Sequence, residues 1–199
     1  MKIFIKSSKI IKSYKNIFNI RNTKNIKNIK CHVNKPEIYT DGSLMNKNKM
    51  AIGVWSNYYD IQSSYKLKGL PDTNRVELAA IFCAMLYLRN KKEDAYILTD
   101  SQTSLSLINE DKHCKDKFKI LVDTIKYIKN DIKKNIFFYK VKAHSKNIGN
   151  DNADRLAKLG NKELNTKYLI LPDDIINKKY KYEDLGDIID KLTKLNNIF

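Results

Sequence analysis

Two periodicities alternate along the middle of the chain. Short runs rich in β-branched and aromatic residues come first, over 37–41, Met50–Tyr59 and Ile61–Lys68. The last two are separated only by the polar Asp60, which predicts a hairpin, and Gly42-Ser43 predicts a turn after the first. Asn74–Asn90 predicts a helix, with Pro71-Asp72-Thr73 as the stop before it. Ala95–Thr99 is a short apolar run ending in Asp100, the pattern of a buried parallel strand. Helical patterning returns over Ser101–Ile108 and Lys115–Lys129, and Asn135–Val141 reads as a strand. Asn150–Leu159 reads as a helix opened by Asn150 and closed by Gly160. The order β-β-β-α-β-α-α-β-α predicts an α/β fold, a mixed sheet flanked by helices. Further on, Leu185, Ile188, Ile189, Leu192 and Leu195 recur at helical spacing. They predict a final amphipathic helix that packs on the domain's own surface.

Composition narrows the class. The chain has 199 residues, 42% of them hydrophobic, enough for one domain with a real core and appendages. Its longest unbroken apolar run, Leu78 to Leu88, falls well short of the roughly 18 residues of a membrane span. Cys31, Cys83 and Cys114 are odd in number and form no C-x-x-C pair, which argues against a disulfide framework or structural zinc and for a reducing, intracellular setting.

The formal net charge of +16 is unevenly spread. Residues 1–36 hold ten Lys or Arg and no acid, residues 37–165 carry a net +6, and residues 166–199 are balanced. The expected organisation is therefore a basic leader over 1–35, a main domain over 36–165 and a C-terminal extension over 166–199. Three readings of the leader stand open: a transit peptide for the mitochondrion or another organelle, a nucleic-acid-binding basic arm, or a solvated extension. Without an organelle address the protein would work in the nucleus or cytoplasm.

Several acids stand where structure alone does not favour them. Asp41 and Asp100 both sit at expected strand ends, in Thr40-Asp41-Gly42-Ser43 and Thr99-Asp100-Ser101-Gln102. Were the two strands parallel neighbours, about 4.8 Å apart, their carboxylates would meet and repel unless a cation lay between them. Turn and N-cap roles are the alternative for each. Glu77 is the only charged residue between Arg75 and Arg89, in a helix apolar on every face. A buried carboxylate needs a partner or a metal, but Asn74-x-x-Glu77 also fits a capping box, and both readings stay open on local sequence. Val141-Lys142-Ala143-His144 leads through a polar loop to Gly149-Asn150-Asp151-Asn152-Ala153-Asp154, where Asp151 and Asp154 suit a first helical turn.

Together these segments resemble type 1 ribonuclease H, over about Pro36 to Leu164. Thr40-Asp41-Gly42-Ser43, Ala51-Ile52-Gly53-Val54, Thr73-Asn74-Arg75-Val76-Glu77-Leu78-Ala79-Ala80, Thr99-Asp100-Ser101-Gln102 and Lys142-Ala143-His144 through Asp154-Arg155-Leu156-Ala157 follow in family order. The resemblance implies a ribonuclease H-like fold with a five-stranded mixed sheet flanked by helices. It makes Asp41, Glu77, Asp100 and Asp154 the metal-binding carboxylates and His144 the loop histidine that moves protons or helps release product. It places Gly42, Ser43, Asn74, Arg75, Ser101, Gln102 and Asn150 where nucleic acid is touched. The implied cofactor is two Mg²⁺ ions, with Mn²⁺ as a substitute, for which hard carboxylate oxygens are the right ligands. The implied activity is hydrolysis of the RNA strand of RNA–DNA hybrids by a monomer, leaving 5′-phosphate and 3′-hydroxyl ends. The chain departs from the family pattern in lacking a Trp-rich basic protrusion, although Lys112, Lys115, Lys117 and Lys119 keep that stretch basic. Phe138-Tyr139-Lys140 replaces an aromatic run that usually includes Trp. The competing readings are a non-catalytic nucleic-acid-binding module and another two-metal nuclease of the same superfold, such as a junction resolvase or integrase.

Overall fold

The structure, a computed structural model, describes residues 36–198 apart from 47, 110–113, 144, 177–180 and 182–183. The leader readings, Lys112 and His144 therefore lie outside the described residues. Five strands form one sheet: β1 (Glu37–Met45), β2 (Lys49–Ser56), β3 (Ile61–Leu67), β4 (Ala95–Thr99) and β5 (Ile136–Lys140). The helices among the described residues are α1 (Thr73–Leu88), α2 (Gln102–Asn109), α3 (Asp116–Asp131), α4 (Ile148–Lys162), the short α5 (Pro172–Ile175) and α6 (Leu185–Leu195).

The strand order is β3-β2-β1-β4-β5. The β1–β2 and β2–β3 pairs are antiparallel, whereas β1–β4 and β4–β5 are parallel, so the mixed sheet expected from the element order is present. α1 packs on β1 and β2 and against α3, and nearly all of it is buried, as its all-round apolar sequence requires. α4 packs on β1, β2 and β3. Glycine permits that approach: a Cβ on Gly53 would lie 2.1 Å from the Ala153 carbonyl oxygen and 2.6 Å from the Ala157 nitrogen.

Three local expectations are corrected. β1 does not stop at Asp41 but runs through Gly42-Ser43 to Met45, and the chain turns only at Asn46, whose φ is 51°. Gly42 looks like a turn residue because it is a glycine, but it lies in the strand to let α1 close in: a Cβ there would meet the Glu77 nitrogen at 2.9 Å. α4 is opened by Asn147, whose side chain accepts from the amides of Gly149 and Asn150, so Asn150 is already helical. Nor does Gly160 end it: the helix continues to Lys162, and the missing side chain makes room for the Ser64 hydroxyl.

The C-terminal stretch adds to the core. Lys66 donates its amide to the Lys167 carbonyl and accepts from the Leu169 amide, which covers part of the exposed edge of β3. Leu169, Leu171, Leu185, Ile189 and Leu192 join the main hydrophobic cluster, while Leu195 stays exposed and Thr193 takes the inward position.

We expect Gly53→Ala to destabilise the fold by about 3 kcal/mol, at the upper end for overpacking, because the added methyl meets helix backbone. Thermal denaturation checks this, and an unchanged melting temperature would contradict the packing.

Candidate active site

Parallel pairing of β1 with β4 brings Thr40 opposite Thr99, so the next residues, Asp41 and Asp100, emerge side by side. Ligands of α/β sheets bind at this carboxyl end of parallel strands. Glu77 comes to the same place from the second turn of α1. That helix starts at an N-cap two residues ahead of Asn74: the Asp72 carboxylate accepts from the amides of Asn74 and Arg75 at 2.9 and 3.3 Å. The capping-box reading of Glu77 therefore falls, since the helix is already capped and Asn74 is not the cap.

One carboxylate oxygen from each of Asp41, Glu77 and Asp100 lies within 4.8 Å of the others. Asp41 and Glu77 are buried, at 7% and 8% exposure, and Asp100 is half-buried. Burial and then the neighbouring charges of Asp100 and Asp154 push the Asp41 carboxyl up to about 7. Burial, then Asp41 and Asp100, push Glu77 up to about 9. The nearby Gly42 amide favours both charged forms and opposes the shifts only in part. Glu77 Oε2 is buried without a hydrogen-bond partner. Crowded hard oxygens, an orphaned carboxylate oxygen and mutual repulsion together fit a divalent cation.

Asp154, in the second turn of α4, is close enough to raise the Asp41 carboxyl but is not one of that trio. Lys158, one turn on, donates to its Oδ2 at 2.7 Å and also acts favourably on the Asp41 charge. Asp151 points out, exposed to solvent. A cleft of about 590 Å³ opens beside Asp100, lined also by Lys140, Val141, Lys142 and Ala143.

The sequence model of the RNase H family matches residues 33–162, most of the chain. The chain belongs to the ribonuclease H family. Solved ribonuclease H structures share its fold. LC11-RNase H1, isolated from compost by a metagenomic approach, superposes with a TM-score of 0.55 at 23% identity, covering 65% of this chain and 97% of that one. The same protein in complex with an RNA/DNA hybrid gives 0.53 at 19% identity, over 64% and 97%. RNase H1 from the halophilic archaeon Halobacterium salinarum NRC-1 gives 0.50 at 16% identity, over 63% and 96%. No curated protein sequence matches.

In this ribonuclease H the expected nucleic-acid contacts divide. Gln102 is exposed and Ser43 and Asn74 are half-buried. The Ser101 hydroxyl accepts from the Ser104 amide at 3.3 Å and so caps α2. Gly42 faces α1. Asn150 is 3% exposed at the base of α4, so its side chain is not presented at the surface. Arg75, expected at the nucleic acid, is instead buried, and its guanidinium is held by Asp173 and the Lys68 carbonyl. Lys140, Lys142 and Lys158 were not singled out from sequence. The i, i+4 spacing of Lys158 from Asp154 was the legible signal for one of them.

Without metal, folded Asp41 and Glu77 keep protons that the unfolded chain has released above its ordinary carboxylate range. Their contribution to stability is full below about pH 4 and lost as pH rises through about 7 and 9. We expect the melting temperature of metal-free protein to fall between about pH 5 and 9, and added Mg²⁺ to restore more of it at the alkaline end. A melting temperature flat across that window would contradict the crowding of these groups.

Proposed function

We propose that this ribonuclease H is an endoribonuclease that hydrolyses the RNA strand of RNA–DNA hybrids, with Asp41, Glu77, Asp100 and Asp154 holding two Mg²⁺ ions. The observation that carries it is the crowded trio at the carboxyl end of the parallel β1–β4 pair. The complex of LC11-RNase H1 with an RNA/DNA hybrid supports the choice of substrate class.

Held by Asp41, Glu77, Asp100 and Asp154, two such ions would supply an activated water and a stabilised leaving oxygen for in-line displacement, leaving 5′-phosphate and 3′-hydroxyl ends, and Mn²⁺ would substitute. The protein's part is to hold the anionic ligands in place. Asp41 and Glu77 are buried on β1 and α1, so little reorganisation would be needed as a cation took the place of their protons, which would pass to water. The Lys158 ammonium bonds Asp154 Oδ2, so it would compete with a metal for that carboxylate. Lys140 and Lys142 place positive charge beside Asp100, where a phosphodiester backbone would lie. Exposed Gln102 and half-buried Asn74 suit contacts to sugar hydroxyls across a wide, shallow minor groove, which select by shape and not by base sequence. His144, just after Lys142-Ala143, serves as the proton carrier in this reading.

A panel of RNA–DNA hybrid, duplex DNA and duplex RNA, each with and without Mg²⁺, tests the proposal. The hybrid alone should be cut, only with the metal, and Asp41→Asn or Asp100→Asn should reduce cutting to background with folding intact. Undiminished cutting by either variant would contradict the carboxylate assignment. Hybrid binding without Mg²⁺-dependent cutting would point to a binding module. Lys158→Met should tighten Mg²⁺ binding about threefold by removing a competing cation, measurable by calorimetry. Weaker binding in that variant would contradict the competition.

A further inference from the structure

We propose that Asp173, beyond the span matched by the family, is a positioning residue of the active site that acts through Arg75 on the first turn of α1. The inference rests on the function proposed above.

Each nitrogen of the Arg75 guanidinium donates a hydrogen bond. Its Nε and Nη2 donate to Asp173 Oδ2 at 3.2 and 2.7 Å, and Nη1 donates to the Lys68 carbonyl at 2.6 Å. Asp174 Oδ1 stands 3.9 Å from Nη2. The Arg75 side chain is only 9% exposed and that of Asp173 31%, so the guanidinium end of the pair is largely out of water and the two-donor contact fixes its direction. Arginine's planar fork reaches both acceptors at once, which a lysine ammonium on a flexible stem does not.

Asp173 is itself well anchored. It lies in α5, which follows Leu169 and Leu171, both buried in the main core. The Asp174 carboxylate accepts from the Leu171 amide at 2.7 Å, and the Leu169 amide bonds to β3 through Lys66 at 2.9 Å. A residue 98 positions away in sequence thus ties the start of α1 to the far edge of the sheet.

That start carries the site. Arg75 lies between Asn74 and Glu77, and the backbone here runs so close to β1 that Gly42 has no room for a Cβ. A second brace holds the same turn from the other side, where Lys117 of α3 bonds to the Asp72 cap at 2.5 Å. With Arg75 released, α1 keeps one brace of two, and the Glu77 carboxylate shifts against Asp41 and Asp100. The family match ends at residue 162, so the active unit of this chain includes residues outside that match.

The test uses the full chain and the variants Asp173→Ala, Asp173→Asn and Arg75→Lys, with the double variant Arg75→Ala/Asp173→Ala beside its two single variants. Mg²⁺ affinity is measured by calorimetry without substrate, kcat and KM on a hybrid with Mg²⁺, and melting temperature separately. Displacement of a ligand by a fraction of an ångström should lower kcat about tenfold in Asp173→Ala and weaken Mg²⁺ binding about threefold, with KM moving less than twofold. Asp173→Asn keeps an acceptor oxygen, so it should fold and fall between the parent and the alanine variant. Arg75→Lys should resemble Asp173→Ala, and the double variant should be no worse than Arg75→Ala alone. A lower melting temperature with kcat and Mg²⁺ affinity unchanged, in Asp173→Ala or in Asp173→Asn, would overturn the proposal and leave a purely structural brace. A parent protein that binds Mg²⁺ but cuts no hybrid would count against the proposed function, while the Mg²⁺ affinities would still decide the role of Asp173.

Discussion

Three carboxylates brought within 4.8 Å of one another, two of them buried, repel in the absence of a cation. Everything around them works against their separation. β1 and β4 are locked by parallel pairing up to Thr40 and Thr99, so Asp41 and Asp100 cannot drift apart. α1 is buried on nearly every side and pressed onto Gly42, so Glu77 cannot withdraw. The strain appears as raised proton affinity in Asp41 and Glu77 and as an unpartnered Glu77 oxygen. A fold that holds such a cluster loses stability when the metal is absent and gains a preorganised site when it is present.

The start of α1 is the sensitive place because its first two turns carry Asn74 and Glu77 and border Gly42. It is gripped from two directions, by Lys117 through the Asp72 cap and by Asp173 through Arg75. The second grip depends on a segment that covers the β3 edge and contributes leucines and isoleucines to the core. What looked from composition like an appendage with balanced charge is thus structurally continuous with the site.

The legibility of these features follows the range of the interactions that make them. Asp100 was readable because a compact apolar run ends at it and parallel strands have that signature. Asp41 was placed correctly beside it, but its strand was cut short: Gly42 has the composition of a turn, and only the close approach of α1 explains a glycine in mid-strand. Glu77 stayed ambiguous because capping depends on which residue actually opens the helix. Asp72 opens it, although beside Pro71 it has the look of a stop before the helix. Arg75 was misjudged for a different reason: its partner lies 98 residues away, and no local pattern carries that information. The last helix was visible by its period, but its inward turn at Thr193 instead of Leu195 reflects packing that periodicity does not encode.

The central claim is that Glu77 is held where it destabilises the metal-free protein in order to bind a cation. Glu77→Gln tests it most directly, since the amide has nearly the same shape and no charge. At about pH 8 without metal, the variant should melt at a higher temperature than the parent, because folding no longer requires a buried acid to take up a proton. The same variant should lose the rise in melting temperature that Mg²⁺ gives the parent. A variant that melts lower than the parent, or that keeps the full Mg²⁺-dependent rise, would contradict the account.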